Sequence, residues 1–521
     1  MPSHVKNILV VVLLGIALLS LWNLRVDGRG ITRESIRVGE TPATVYRGDV
    51  PGPAPVVLVA HGFAGSQRLM EPFALALAGR GYVVVTFDFL GHGRHPRPMR
   101  GSLMEQDGAA VLLLEQTAEV AEAALELPGT DGRLALVGHS MATNILVRHA
   151  QKNPRVMATV GVSTFAPTID ASTPPNLLLI VGALEGRLKE EGRRLVSLSA
   201  GIQPDSVSPF VTYGAHATGT ARRLAVAPRV EHVGVLYSPT TLDETHSWLD
   251  ATFNRNSVDF LPGRAERRGL WILLLMAAVF FLARPMAALL PTIVDPPGGA
   301  NAPWPRLLLV AGIPALATPL VLRPIPTGFL PVVVGDYLAV HFFTFGALTA
   351  MLLWWTGERP GINKVLEDAG LKGPGSLRVV IGAAGIVLFF LVLIALPLDR
   401  FFSSFFPAPE RLPLMLAVLA GTLPYFLADE WLTRGTEARR GAYALTKALF
   451  LVSLGLAVAL DAQSLFFLLI IFPVILAFFF VHGLFSRWTF RSTGSPVVAG
   501  LGNAVAFAWA MGVTFPMYAG V

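Results

Sequence analysis

The sequence contains no cysteine, so disulfide bonds, thiolate metal sites and cysteine nucleophiles are all excluded. It is also poor in charge: 15% of its 521 residues are charged, whereas an average globular chain has about a quarter. No long block of Lys and Arg with interleaved aromatic residues is present, so the net charge of +6 indicates no nucleic-acid partner. Hydrophobic residues make up 53% of the chain. These proportions predict a protein that is largely embedded in a membrane.

Hydropathy divides the chain into three segments, at residues 1–30, 31–262 and 263–521. In the first, an uncharged apolar run from Ile8 to Trp22 follows Lys6, and no small-residue cleavage site separates it from Arg25. We therefore expect a transmembrane signal anchor rather than a cleaved signal peptide. The second segment has scattered charges and no run long enough to span a bilayer, so it is predicted to form a soluble domain.

The third segment contains a series of apolar stretches, each near the length of about 20 residues that a helix needs to cross a bilayer. They lie at about 269–290, 306–322, 336–356, 378–397, 412–430, 441–460, 463–485 and 496–517. Together with the anchor they predict a multi-pass membrane protein, with one N-terminal and about eight C-terminal helices.

The basic residues of the short loops predict the orientation of these helices, because cytoplasmic loops are enriched in Lys and Arg. With a cytoplasmic N-terminus, the cytoplasmic loops hold Arg306, Arg359, Lys364, Lys372, Arg378, Arg434, Arg439, Arg440, Lys447, Arg487 and Arg491, and the opposite loops hold Arg323, Arg400 and Arg411. The soluble domain is then expected outside the cytoplasm, on the periplasmic or extracellular side. The basic residues that oppose this orientation are Arg25, Arg29, Arg264, Arg267 and Arg268. We discount them because a long domain is translocated largely regardless of its charges.

In the second segment, short apolar runs alternate with helical patterns. The runs lie at 55–60, 82–87, 134–137, 159–162 and 177–181, and the helical patterns at 69–78, 105–127 and 142–151. Continuously apolar strands separated by helices are typical of a parallel sheet that is buried on both faces. The predicted fold class is therefore α/β, followed by an all-α membrane domain.

One of the apolar strands leads directly into Gly138-His139-Ser140-Met141-Ala142, and a helical pattern follows. A serine at such a strand-to-helix turn has an exposed hydroxyl, and the turn requires small residues two positions before and after it. Ser140 is therefore predicted to be a nucleophile, with a helix N-cap as the alternative role.

A second apolar strand runs into the glycine-rich turn His61-Gly62-Phe63-Ala64-Gly65. The backbone N–H groups of Phe63 and Met141 are predicted to form an oxyanion hole. These two motifs, together with Asp88-x-x-Gly91-His92-Gly93, resemble the α/β-hydrolase superfamily over roughly residues 45–255, and its dienelactone hydrolase and lipase-like branches most of all. His61, His92 and Asp88 are expected to shape the turns rather than to react.

The resemblance implies that a catalytic acid follows the next-to-last core strand and a histidine follows the last. A strand from Pro175 leads to Glu185, and a strand from Arg222 to Pro228 leads to His232. The resemblance thus implies a serine hydrolase with a Ser140, His232 and Glu185 triad and with no cofactor or metal. Asp170 is an alternative acid, while for the alternative histidines, His216 and His246, surface or packing roles are favoured.

Only about residues 165–175 separate the two core strands that follow the nucleophile helix, which is too short for a folded lid. A site without a lid on a membrane-tethered domain favours the ester or acyl group of a lipid or lipid-linked molecule as the substrate. Acyl transfer by the same triad is an alternative. A further alternative is a non-catalytic hydrolase-like domain that regulates a transporter-like or intramembrane-peptidase-like membrane module. The oligomeric state is left open.

Ionisable residues within predicted membrane helices are costly and are candidates for function. They are Asp336, His341, Asp429, Glu430, Asp461 and His482. Asp429-Glu430-x-x-x-Arg434 and Phe478-x-x-x-His482 look somewhat like two motifs of CAAX-type intramembrane proteases, although Asp replaces the first Glu and a third motif is missing. Two such short patterns also arise by chance in a chain of this length, which is the interpretation we favour.

Overall fold

A computed structural model describes residues 3–49, 52–103, 105, 107–255, 265–357 and 362–520. The predicted boundary at 262–263, Arg264 and Arg359 lie outside the described residues. The chain divides into two compact units. The α/β unit consists of Gly15–Met276, Leu398–Ala408 and Pro516–Val521, and the helical unit consists of Met1–Leu14, Ala277–Pro397 and Pro409–Phe515.

The strands of the α/β unit form one mixed sheet. They are β1 (Ile31–Val38), β2 (Thr41–Gly48), β3 (Ala54–Ala60), β4 (Val83–Phe87), β5 (Thr130–His139), β6 (Val156–Val162), β7 (Leu177–Gly182), β8 (Thr212–Tyr213) and β9 (Arg222–Ala227). Their order in the sheet is β1-β2-β4-β3-β5-β6-β7-β9-β8. The six central strands are parallel, whereas β1, β2 and β8 pair antiparallel at the two edges. The carboxyl ends of the central strands therefore share one edge of the sheet.

Helices cover both faces of the sheet. After α1 (Ser3–Val26), these helices are α2 (Glu71–Ala78), α3 (Ala109–Leu125), α4 (Met141–Ala150), α5 (Gly186–Ala200) and α6 (Pro239–Phe253). Alternate residues of β3 face opposite sides, since Val57 and Val59 pack with residues of α2 and α6, whereas Val56 and Leu58 pack with residues of α3 and α4. The sequence shows these strands as continuous apolar runs because both faces are buried.

The antiparallel strands β1, β2 and β8 were not predicted from the sequence. β1 has no apolar run, because exposed and half-buried residues alternate along it and it carries Arg33, Glu34 and Arg37. An antiparallel edge with one solvated face has this pattern. β8 has only two residues, too few to produce a pattern.

Two segments distant in the sequence complete the α/β unit. Residues 516–520 run beside the loop that follows β4, where the Met517 N–H donates to the Gly91 carbonyl at 2.7 Å and the Ala519 N–H donates to the Met99 carbonyl at 2.9 Å. In residues 398–408, the Asp399 carboxylate accepts two hydrogen bonds from the Arg94 guanidinium, at 2.7 and 2.8 Å. Both segments therefore lie at the carboxyl edge of the sheet.

The remaining helices form the helical unit or lead into it. They are α7 (Arg268–Ala287), α8 (Trp304–Leu322), α9 (Gly335–Thr356), α10 (Ile362–Asp368), α11 (Pro374–Phe389), α12 (Leu396–Phe401), α13 (Leu412–Thr433), α14 (Ala442–Leu460), α15 (Phe466–Thr493) and α16 (Pro496–Thr514). Within the described residues, nine helical segments, one of them near the N-terminus, are long and apolar enough to cross a membrane. This agrees with the predicted arrangement of one N-terminal and eight later spans and is consistent with a multi-pass membrane protein.

The first residue of α7, Arg268, lies in a buried cluster of charges within the α/β unit. Its guanidinium is bonded to the carboxylates of Asp27 and Glu71 and donates to the Phe401 carbonyl at 3.2 Å. The three charged residues are 1%, 5% and 0% exposed. A buried charge is tolerated only when it is paired in this way.

We expect Arg268→Met to destabilise the α/β unit by about 3–5 kcal/mol, because the substitution leaves two buried carboxylates without their cation. Thermal unfolding of the full-length protein in detergent micelles, followed by tryptophan fluorescence, measures the effect. The exposed neighbour Arg267 provides the matched control, Arg267→Met. Equal unfolding temperatures for the two variants would contradict the role given to the cluster.

Candidate active site

Ser140 forms the turn between the end of β5 and the start of α4. Its backbone angles, φ 53° and ψ −118°, are ones that residues with a side chain rarely adopt, and such strain costs about 1–3 kcal/mol. A Cβ added at Gly138 would lie 2.8 Å from the Leu146 side chain and 3.3 Å from the backbone of Ala142, so glycine lets the helix return close to the strand. The turn presents the Ser140 hydroxyl at the carboxyl edge of the sheet.

The structure brings Ser140, His232 and Glu185 together. His232 Nδ1 lies 2.6 Å from Glu185 Oε1, and His232 Nε2 lies 2.9 Å from Ser140 Oγ. Because a carboxylate only accepts hydrogen bonds, the proton belongs on Nδ1, and the unprotonated Nε2 accepts a hydrogen bond from the serine hydroxyl. The His232 side chain is 44% exposed and that of Glu185 is 6% exposed. The imidazole is therefore accessible to solvent, while the carboxylate is shielded.

Glu185 is held by two further donors. The Ser163 hydroxyl and the Gly182 N–H each donate to Glu185 Oε2 at 2.7 Å. Burial raises the pKa of the Glu185 carboxyl, but the hydrogen bonds from His232, Gly182 and Ser163 outweigh burial, so the pKa lies below its ordinary value of 4.5. The carboxylate is therefore ionised and fixed in orientation at neutral pH.

The competing candidates lie elsewhere. Asp170 accepts backbone hydrogen bonds from Ser172 at 2.8 Å and Thr173 at 2.7 Å in an exposed turn of its own. His216 Nδ1 lies 2.9 Å from the Thr252 hydroxyl, and His246 Nε2 lies 3.1 Å from Asp243 Oδ1. The structure joins none of these three with Ser140.

His139 is a site residue that the sequence analysis missed. Its Nε2–H donates to the backbone carbonyl of His232 at 2.9 Å, and the two rings lie 4.8 Å apart between centroids. Burial and the neighbouring His232 lower the pKa of His139 to about 3. The ring is therefore neutral at physiological pH and fixes the backbone from which His232 projects.

The two residues predicted to form an oxyanion hole are both beside Ser140. Met141 is the first residue of α4, where backbone N–H groups have no acceptor within the helix. A Cβ added at Gly62 would lie 3.0 Å from Ser140 Cβ, so the turn after β3 passes directly beside the serine, and Phe63 is the next residue.

His61 and Asp88, which belong to the motifs after β3 and β4, form hydrogen bonds with the backbone of the surrounding loops. His61 Nδ1 donates to the Gly62 carbonyl at 2.8 Å, and its Nε2 accepts from the Phe89 N–H at 3.1 Å. Asp88 accepts the backbone N–H groups of Gln67 at 2.8 Å and Arg94 at 3.0 Å. In the part of the chain that the structure describes, no three His, Asp or Glu side chains are grouped to hold a metal ion.

The region of the chain that contains these residues matches a known protein family. Residues 51–208, which contain Ser140 and Glu185, match the model of the serine aminopeptidase S33 family, whose members are α/β-hydrolases. The chain contains an α/β-hydrolase domain. The fold class predicted from the sequence is thereby confirmed, as is the resemblance of the strand-end motifs to this superfamily.

Solved structures similar to the hydrolase domain include several hydrolases. An epoxide hydrolase from Vigna radiata is 25% identical, with 26% of this chain and 40% of that chain covered and a TM-score of 0.21. A candidate dienelactone hydrolase from Klebsiella pneumoniae is 15% identical, with 43% of this chain and 99% of that chain covered and a TM-score of 0.30. A methylesterase is 13% identical, with 48% of this chain and 65% of that chain covered and a TM-score of 0.32. This chain spans 40% of the length of that epoxide hydrolase. No protein of curated function matches the sequence.

We expect His139→Gln to make the stability of the hydrolase domain less sensitive to acid. The pKa of His139 is about 3 in the folded state and 6.5 in an ordinary environment, so the unfolded chain binds the extra proton and stability falls as the pH drops through this range. The loss is up to about 1.4 kcal/mol per pH unit. Glutamine does not titrate and keeps an N–H donor for the His232 carbonyl.

Urea unfolding of the full-length protein at pH 7 and pH 4.5 measures this difference, with the exposed substitution Lys152→Gln as the control. If His139→Gln and the parent protein lose equal stability between the two pH values, His139 does not titrate as described.

Proposed function

We propose that the hydrolase domain is a serine hydrolase that cleaves carboxylic esters. The proposal depends on one observation above all: His232 lies 2.9 Å from the Ser140 hydroxyl on one side and 2.6 Å from the Glu185 carboxylate on the other. A nucleophile, a general base and an orienting carboxylate in this sequence of contacts are the requirements for activating a serine.

In the proposed reaction, Ser140 Oγ attacks the ester carbonyl carbon while His232 Nε2 takes the hydroxyl proton. The N–H groups of Phe63 and Met141 would stabilise the oxyanion, and each well-placed donor of this kind lowers the barrier by about 3 kcal/mol. His232 then donates its proton to the leaving alkoxide, which departs as an alcohol and leaves an acyl-enzyme. Water, deprotonated by His232, attacks the acyl-enzyme and releases the carboxylic acid, and Ser140 regains its proton.

We further propose that the ester belongs to a lipid. Phe165, Leu184 and Val233 follow the carboxyl ends of β6, β7 and β9 and are 68%, 69% and 39% exposed. Phe165 is two residues after Ser163, and Leu184 and Val233 are the chain neighbours of Glu185 and His232. Large apolar side chains exposed together mark a surface for an apolar partner. An acyl chain supplies such a partner, and the apolar spans at both ends of the domain keep it near lipid.

The test of the serine hydrolase proposal is a fluorophosphonate probe applied to the full-length protein in detergent micelles. We expect a covalent adduct on Ser140, and none in Ser140→Ala. Glu185→Gln should lower kcat/KM for a p-nitrophenyl ester on the order of 10⁴-fold, because the His232 tautomer is no longer fixed. Asp170→Asn is the matched control and should stay within about twofold of the parent protein.

An adduct on another residue, or equal losses in Glu185→Gln and Asp170→Asn, would sink the assignment of the triad. The same preparations are compared by unfolding temperature, so that loss of activity is separated from loss of the fold.

The lipid proposal predicts that Phe165→Ser combined with Leu184→Ser impairs turnover of an ester presented in vesicles. The expected loss is about tenfold, since burial of even one such side chain is worth about 1.5–3 kcal/mol. Hydrolysis of p-nitrophenyl acetate in the same samples should be nearly unchanged. Leu198→Ser, at an exposed position near the end of α5, is the control. Normal turnover of short soluble esters with none of any vesicle ester by the parent protein would overturn the proposal.

A further inference from the structure

The helical unit contains a cavity among α7, α11, α15 and α16. Its volume is about 90 Å³, and it opens to the outside. Binding sites for small molecules typically measure about 300–1,000 Å³. The cavity is therefore too small to enclose a whole ligand of that kind, and it accepts part of one that enters through the opening.

Most of the cavity wall is apolar. It includes Leu290, Ile386, Phe389, Phe390, Ile394 and Phe485. Aliphatic and aromatic walls of this kind suit a hydrocarbon chain, which gains contacts without losing hydrogen bonds. Three polar side chains, His482, Ser486 and Asn503, interrupt the apolar wall. Among the described residues that line the cavity, none carries a full charge at neutral pH.

A buried ion pair fixes these polar side chains from behind. Arg434 donates to Glu430 Oε2 at 2.8 Å and to the Ser486 hydroxyl at 2.9 Å. Asn503 Nδ2 donates to Glu430 Oε1 at 3.3 Å, and His482 is hydrogen-bonded to Asn503. Glu430 is 0% exposed. The polar part of the wall is thus a connected and oriented network.

The ring of His482 is held by a second contact. It stacks on Phe478 with 3.8 Å between centroids and 11° between the ring planes. Stacking fixes the plane of the ring, and the nitrogens lie in that plane, where Asn503 contacts it. The imidazole edge is therefore in place before any ligand arrives.

An unusual backbone segment forms another part of the wall. Residues Phe390–Ala395 form a π-helical turn between α11 and α12, and both Phe390 and Ile394 line the cavity. π-turns are rare and occur frequently at functional sites. Pro397 follows the turn, and its ring clashes with the carbonyl four residues earlier in a regular helix, which accounts for the wider turn.

We propose that this cavity binds a neutral amphiphile with one hydrocarbon chain and a hydroxyl or ester head group. The head would be hydrogen-bonded by His482 and Asn503, and the adjoining part of the chain would contact the aromatic wall. The rest of the chain would lie outside the cavity, beyond its opening. A phosphate or carboxylate head does not fit, because the nearby cation, Arg434, is already neutralised by Glu430. The proposal concerns a second site and does not depend on the serine hydrolase proposal.

The experiment uses the full-length protein in phosphatidylcholine nanodiscs and a monoacylglycerol that carries a diazirine in its acyl chain. After irradiation, cross-linked residues are located by mass spectrometry of peptides. We expect cross-links concentrated at residues 385–394 and 482–506, and competition by unlabelled monoacylglycerol.

Two substitutions in the wall sharpen the test. Val505→Trp fills the cavity from α16 and should lower cross-linking about tenfold, whereas Leu501→Trp, one turn earlier and outside the cavity wall, should not. His482→Phe keeps the stacked ring but removes its nitrogens. It should weaken cross-linking of the monoacylglycerol and leave that of a diazirine alkane without a head group unchanged.

Cross-links spread evenly over outward-facing residues such as Leu469, Val474 and Phe480 would overturn the proposal, since they indicate ordinary surrounding lipid. Equal cross-linking of Val505→Trp and Leu501→Trp would overturn it as well. Unfolding temperatures of all variants report on the fold. Fluorophosphonate labelling of Ser140 in the same nanodiscs shows separately whether the serine hydrolase proposal holds.

Discussion

A single buried guanidinium, that of Arg268, is bonded to groups from three other segments of the chain. They are the end of α1, the start of α2 and residues 398–408. A buried ion pair adds little net stability compared with apolar packing, but it tolerates no missing partner. The cluster therefore determines which segments pack together, and it contributes little to the strength of that packing. Glu71 of this cluster is the first residue of α2, the helix that follows the turn with Gly62 and Phe63.

Much of the α/β unit could be predicted from the sequence because its central strands are buried on both faces. Such strands produce apolar runs that stand out without any knowledge of their neighbours. β1 and β2 form a half-solvated hairpin and produce no such run. Residues 398–408 and 516–520 belong to the same unit through pairings with residues hundreds of positions away, which no local pattern indicates.

The residues of the candidate site also fall into two groups, those that the sequence predicts and those that it does not. Ser140, Glu185 and His232 each follow the carboxyl end of a central strand within a few residues, so a parallel sheet alone predicts that they lie near one another. Ser163 and His139 were missed because their contacts depend on the order of strands in the sheet. Ser163 reaches Glu185 because β6 lies beside β7, and His139 reaches the His232 backbone across the same edge.

The helical unit contains few charged side chains, and four of them form two ion pairs. The buried Lys447 is bonded to Asp429, and aromatic rings surround its ammonium, with the Tyr425 ring centre at 4.6 Å and that of Tyr443 at 4.7 Å. Glu430 and Arg434 form a second pair close by in the chain. These four buried or half-buried charges are thus neutralised in two pairs, as a region without water favours.

The pairing of residues 516–520 with the loop after β4 has a consequence for the order in which the protein is made. These residues are synthesised after every helix of the helical unit, and residues 398–408 are synthesised after about half of them. The hydrolase domain therefore emerges early, but it lacks residues 398–408 until about half of the helical unit has been synthesised and residues 516–520 until the described helices are all synthesised. A ribosome that stalls within the helical unit leaves a domain with Ser140, Glu185 and His232 present and its carboxyl edge incomplete, so this edge is completed only after the helical unit has been synthesised.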